Sequence, residues 1–184
     1  MFTKLLAMKS IYLIMLSAFI STAHAQDFCK QIKKDVSEDK TVFDYASPFE
    51  PGDPPPVRVS RSYSISGENK FDNFLITFQI PCDMDSIYNK SASGTQTERD
   101  EHGLIVEFED HSKVTDDAIK ISHDFTQDRS QALRVVYYTL TEKAVRDFTT
   151  KKIIKFSVAG YPLLLPDADA NALMHYIACI NAVK

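Results

Sequence analysis

Between Val57 and Ile65 the chain reads Val-Arg-Val-Ser-Arg-Ser-Tyr-Ser-Ile. Val57, Val59, Arg61, Tyr63 and Ile65 share one parity, and the other parity holds only arginine and serine. Successive strand side chains point to opposite faces, so this pattern specifies a sheet with one dry and one wet face. After Gly67-Glu-Asn-Lys70 the pattern returns, with Phe74, Ile76, Phe78 and Ile80 on one face. Two such runs joined by a short polar turn predict a β-hairpin, and its apolar face needs a cover.

The other segments predict what that cover is. Asp27 to Asp39 reads as a first helix capped by Asp27, with Cys29, Ile32 and Val36 at helical spacing. Four prolines and a glycine between Pro51 and Pro56 exclude regular structure, so residues 46–56 read as an extended surface crossing. From Cys82 to His102 the chain reads as a long loop with a helical turn at Asp85–Tyr88. Short strands follow at Leu104–Phe108 and Ala118–Ile121, joined by a turn at Glu109–Ser112. Ala132–Leu140 is a strand rich in β-branched and aromatic residues. Thr141 caps a helix from Glu142 to Thr149, Ile153–Leu165 is a strand or a hairpin pivoting at Gly160, and Ala168–Val183 is a closing helix. The expected fold is α+β, a single mostly antiparallel sheet with N-terminal, internal and C-terminal helices packed on it.

The first 25 residues read as an address. Lys4 and Lys9 precede the apolar run Ile11–Ile20, no acidic residue intervenes, and Ala23-His24-Ala25 offers small residues where a signal peptidase reads. Ten apolar residues are about half of what a spanning helix needs, so the segment is expected to be cleaved, leaving no transmembrane anchor. The residues before Cys29 do not suit lipidation. Residues 26–184 then form one domain. Removing two of 21 basic residues and none of 25 acidic ones leaves a net charge of −6. An acidic surface argues against nucleic-acid binding. The expected location is periplasmic or secreted.

Export permits a disulfide, and Cys29, Cys82 and Cys179 allow at most one internal bridge. Cys29–Cys179, joining the two ends of the domain, is the favoured pair; Cys82–Cys179, another pair, or unpaired apolar cysteines are the alternatives. The absence of a C-x-x-C spacing leaves thioredoxin chemistry and zinc ribbons without support.

Chemical motifs are few. His102, His111 and His123 each lie beside acids and are the candidate transition-metal ligands, but no H-E-x-x-H or H-x-H places two imidazoles together, and each sits in or beside a polar turn. No EF-hand spacing, serine-hydrolase elbow or phosphate-binding glycine loop is present. No cofactor is indicated. Phe49, Tyr63, Tyr137 and Tyr138 are candidates for surface recognition, since alternation must send one of Tyr137 and Tyr138 outward.

The stretch LRVVYYTLTEKAVRDFTTKKIIKF, followed by a helix carrying ACI, resembles small exported bacterial proteins of unassigned function. The likeness covers Leu133 to Ile180, under a third of the chain. It implies an exported α+β domain and brings no catalytic residue. The functional expectation is a non-enzymatic module that binds a protein, an envelope component or a small ligand. The alternative is a hydrolase whose histidines and acids meet only in the fold, and a purely structural envelope protein stands third.

Overall fold

The computed structural model describes residues 28–39, 42–48, 55–66, 69–90, 96–126 and 129–183. The proposed address, residues 1–25, lies outside them, as do Asp27 and Phe49. Strands dominate. They are β1 (Lys33–Val36), β2 (Val42–Ala46), β3 (Val57–Ser66), β4 (Asn69–Cys82), β5 (Tyr88–Lys90) and β6 (Gln96–Glu98), followed by β7 (His102–Phe108), β8 (Lys113–Lys120), β9 (Ser122–Phe125) and β10 (Ala132–Thr139). Helix α1 (Glu142–Thr150) precedes β11 (Ile153–Val158) and β12 (Tyr161–Leu164), and α2 (Asp167–Asn181) closes the chain.

These strands do not form one sheet. A six-stranded sheet runs β1-β2-β3-β4-β10-β9, a four-stranded sheet runs β12-β11-β7-β8, and β5 pairs with β6 in a small ribbon. All the pairings are antiparallel. The single-sheet α+β expectation is therefore corrected to a mostly β architecture of two facing sheets. The dry face of the predicted hairpin is covered by the second sheet as well as by helices: Phe78 of β4 meets Phe156 of β11 with ring centroids 5.1 Å apart. Val57, Val59, Phe74 and Ile76 from one sheet share a core with Leu104, Val106, Phe108 and Val158 from the other.

The helices close the flank of this sandwich. Phe148 on α1 meets Phe108 of β7 and Tyr138 of β10, bridging the two sheets. Helix α1 begins as expected, with the Thr141 hydroxyl accepting from the Ala144 amide. Helix α2 buries Ala170, Leu173, Ile177 and Ile180, and packs on β3, β11 and α1. Its last turn carries no basic residue. Arg61, on the dry face of β3, supplies the cation instead: its Nη1 donates to the carbonyls of Ile180, Asn181 and Val183, at 3.1–3.3 Å. The rest of the guanidinium is held by both carboxylate oxygens of Asp72. An arginine among inward-facing apolar residues thus satisfies the carbonyls that a helix end leaves unpaired.

The N-terminal helix is also corrected. Among the described residues only 28–30 are helical there, and Lys33–Val36 forms an edge strand instead. Pairing of β1 with β2, from Lys33↔Ala46 to Val36↔Phe43, overrides the helical spacing of three apolar residues. Residues 42–46, partly assigned to the extended crossing, are the strand β2 that provides this partner. The short helical turn still performs the expected clamping, because Cys29 is joined to Cys179 with their Cα atoms 5.3 Å apart. Phe28 stacks on His175 of α2 at 4.9 Å and meets Tyr176 edge-on at 5.5 Å. The β11–β12 hairpin pivots where expected, with positive φ at both Ala159 and Gly160.

Candidate functional site

The most concentrated chemistry lies at one end of the sandwich, around Arg134. Arg134 shares its parity on β10 with Val136 and Tyr138, and pairs across to Ile80 on the core-facing side of β4. Its position in the strand therefore drives a guanidinium inward, and it is 1 % exposed. A buried cation must be paired and hydrogen-bonded. Glu101, just before β7, meets it in a bidentate fork, with Nε donating to Oε2 at 2.7 Å and Nη2 to Oε1 at 3.2 Å. Nη2 also donates to the Ser86 hydroxyl at 3.2 Å. The Tyr161 ring covers the guanidinium at 4.1 Å, a cation–π contact between the two sheets.

His123 extends the cluster toward the surface. Strand β9 pairs His123 directly with Arg134. The imidazole Nε2 meets Glu101 Oε2 at 3.1 Å, and Nδ1 meets Glu98 Oε1 at 2.6 Å. The histidine side chain is 2 % exposed and that of Glu98 is 58 % exposed, so the series runs from core to water. Beside it opens a cleft of about 460 Å³ lined by Glu98, Arg99, Asp100, Lys120, Ser122 and His123, among others.

The electrostatics of the cluster favour holding over reacting. Burial would raise the Glu101 carboxyl, but hydrogen bonds from Arg134 and His123 outweigh it and keep the group below the usual carboxylate range. It is a committed anion, not a poised base. Cys82, at the end of β4, is an unpaired thiol among the described residues. Burial pushes it up, and the opposing pull of Arg134 and a hydrogen bond with Ser86 does not reverse this. A thiol with a raised pKa is a poor nucleophile.

The other candidates stay apart. His102 opens β7 and lies 3.8 Å from Asp100, while His111 sits in the β7–β8 turn, 3.6 Å from Glu107. Of the three proposed metal ligands only His123 turns inward. Among the described residues, no group of three His, Cys, Asp or Glu side chains is placed to hold a metal ion. Tyr63 lies beside Phe43 on the core-facing side of the large sheet, with ring centroids 6.3 Å apart. Tyr138 packs inward on Phe148, and Tyr137 points out, 52 % exposed. The tyrosines thus divide between opposite faces. Arg134 was not singled out from the sequence and Glu101 only as one of the acids beside His102, although an arginine at the inward parity of an apolar strand is a readable demand for a buried counterion.

No family model, curated protein or solved structure matches the chain. Among the described residues, no helix is long and apolar enough to cross a membrane.

Proposed function

We propose that this is an exported binding module, periplasmic or secreted, that engages another protein through the outward face of its four-stranded sheet. The observation that carries the reading is a set of exposed apolar side chains on one face of that sheet, on β7 and β12. Ile105 of β7 and Pro162 of β12 flank Ser157 of β11 in one cross-strand row. Leu164 lies in the next row beside Lys155 and Glu107. Leu164 is 74 % exposed and Ile105 39 %. A single exposed leucine is ordinary, but Pro162 and Leu164 on β12 with Ile105 across β11 place several apolar side chains on one sheet face. Lys155 lies between Leu164 and Glu107, and Glu107 pairs with Lys113 at 3.3 Å, so charge is interleaved with the apolar side chains. A non-obligate protein–protein interface is about as apolar as the rest of a protein surface, and a mixed face of this kind suits one.

The converging polar groups support the same reading from the other side. Glu101 is neutralised by Arg134 and His123, and the Cys82 thiol is pushed away from its reactive form. The disulfide supports an oxidising destination.

The test is chemical cross-linking in the native host, followed by mass spectrometry of wild type and of the Ile105→Asp/Leu164→Asp double variant. The expected result is one protein cross-linked to peptides of β11 and β12 at stoichiometric yield, lost in the variant while its circular dichroism and disulfide are unchanged. Wild-type protein that gives no such partner, or a variant that retains it, overturns the proposal.

A further inference from the structure

The outward face of the four-stranded sheet carries its charges in a pattern that complements itself. In the strand order β12-β11-β7-β8, one row across the sheet reads Leu164, Lys155, Glu107, Lys113. The next row reads Pro162, Ser157, Ile105, Thr115. Val106, Phe156 and Val158, at the alternate positions, lie in the core, so these two rows face away from it. The midline of the sheet runs between β11 and β7, with Lys155 on one side and Glu107 directly opposite on the other. The ion pair with Lys113, aided by the charge of Lys155, holds the Glu107 carboxyl below the ordinary carboxylate range against the effect of burial. Glu107 is therefore an anion at neutral pH.

A twofold axis along that midline turns the same face of a second copy onto the first. It lays β11 over β7 and β12 over β8, so that all four strands overlap. Lys155 then meets Glu107 of the second copy, and Glu107 meets Lys155 of the second copy, one ion pair on each side of the axis. Packed sheets lie about 10 Å apart, a gap that a lysine and a glutamate reaching from opposite sides can close. Leu164 falls on the methylene stem of Lys113, Ile105 on Ser157 and Pro162 on Thr115, and no like charges are opposed.

Other axes lose this match. An axis on β11 sets Lys155 against its own copy, and one on β7 does the same to Glu107. Turned across the strands, between the two rows, the axis lays Glu107 on Ile105 and Lys155 on Ser157, which leaves the charges unpaired. Only the midline joins full overlap of the strands with opposite charges in contact. We propose that the outward face of the four-stranded sheet binds the same face of a second copy, about a twofold axis running between β7 and β11.

This inference rests on the reading of that face as a binding surface, and it is tested by sedimentation equilibrium of the purified, disulfide-bonded protein. Wild type is expected to pass from monomer to dimer between about 1 μM and about 1 mM, the span of ordinary reversible association. Lys155→Glu and Glu107→Lys each oppose like charges twice in a homodimer, and each should weaken association at least about tenfold. An equimolar mixture of the two variants restores an opposite-charge pair on both sides of the axis and should recover that loss. Such recovery cannot come from a damaged fold, because mixing leaves each chain as it was. A wild type that stays monomeric, single variants that associate like wild type, or a mixture no better than its components overturns the proposal. If a variant does not fold, isotope-filtered NMR of mixed labelled and unlabelled wild type decides, by the presence or absence of contacts between Ile105 and Ser157 of different copies. The self-pairing and the reading beneath it fail separately. A monomeric wild type that still cross-links in the host to a different protein through β11 and β12 overturns the self-pairing alone.

Discussion

Removing the Cys29–Cys179 bridge tests how far the two ends of the chain are held by covalent means. The bridge closes a loop of 150 residues. For that length the chain-entropy relation gives about 17 cal/mol/K of denatured-state entropy, or about 5 kcal/mol at 25 °C. Residual structure in the unfolded chain lowers the figure, so a loss of about 3–5 kcal/mol is expected for Cys29→Ser/Cys179→Ser. With a urea m-value of about 2 kcal/mol/M, the midpoint falls by about 1.5–2.5 M. The m-value itself should rise, because the uncrosslinked chain exposes more surface when it unfolds. Equilibrium urea unfolding followed by circular dichroism reads both quantities, with Cys82→Ser as the control. A loss under about 1 kcal/mol shows that the contacts of Phe28 with His175 and Tyr176 already hold the terminus, and that the loop argument misplaces the stabilisation. A loss of equal size in Cys82→Ser shows that Cys82 takes part in the bridge.

Arg134→Met leaves Glu101 buried beside His123 without its fork and should cost about 3–5 kcal/mol, while Arg134→Met/Glu101→Leu recovers much of that in the same urea assay. Acid unfolding should also report Glu101. Its carboxyl is held below the ordinary range, so its contribution is complete above the unfolded carboxyl pKa and is lost as pH falls through the folded one; Glu101→Gln should flatten that acid limb. Arg61→Ala strips the carbonyl-binding cation from the end of α2 and is expected to cost about 1–3 kcal/mol, with faster amide exchange confined first to the last turn of that helix. The Cys82 thiol, raised by burial, should react with iodoacetamide at pH 8 at least several-fold more slowly than an exposed cysteine peptide.

Sequence periodicity was most informative where a structure closes on itself locally. The hairpin from Val57 to Ile80, the Thr141 cap and the Gly160 pivot each depend on residues a few positions apart, and each forms. The first helix did not, because three apolar residues at helical spacing compete with a strand partner supplied from Val42–Ala46, a choice that only tertiary pairing decides. The start of β8 was hidden for a different reason. Its alternation is interrupted by a bulge, where the register jumps from His102↔Lys120 to Leu104↔Asp116 and the Asp116 carboxylate accepts from the Ala118 and Ile119 amides. Alternation also says nothing about how many sheets the strands make. β10 returns to pair with β4 while β7, β8, β11 and β12 form a sheet of their own. The buried cluster follows from that partition, since Glu101 and Arg134 are brought together only by it.

The sheet edges help explain why a face, and not an edge, serves as the recognition surface in the proposed function. On β12 the Leu165 amide donates to the Ile154 carbonyl, so Tyr161 and Leu163, of the same parity, turn their amides toward β11. Positions 162 and 164 therefore turn theirs toward the free edge, and Pro162 has no N–H to offer there. At the opposite edge, β8 carries Lys113, Asp116, Asp117 and Lys120 together with the bulge. The large sheet ends in β1, with Lys33, Lys34 and Asp35, and in the four-residue β9. Short, charged, bulged or proline-bearing edges are the devices that keep strands from adding to one another. The same proline that removes a backbone donor from the β12 edge adds apolar surface to the face that carries Leu164 and, across β11, Ile105. A partner that meets this sheet must therefore read side chains across its strands, which makes Ile105 and Leu164 the positions where substitution should matter.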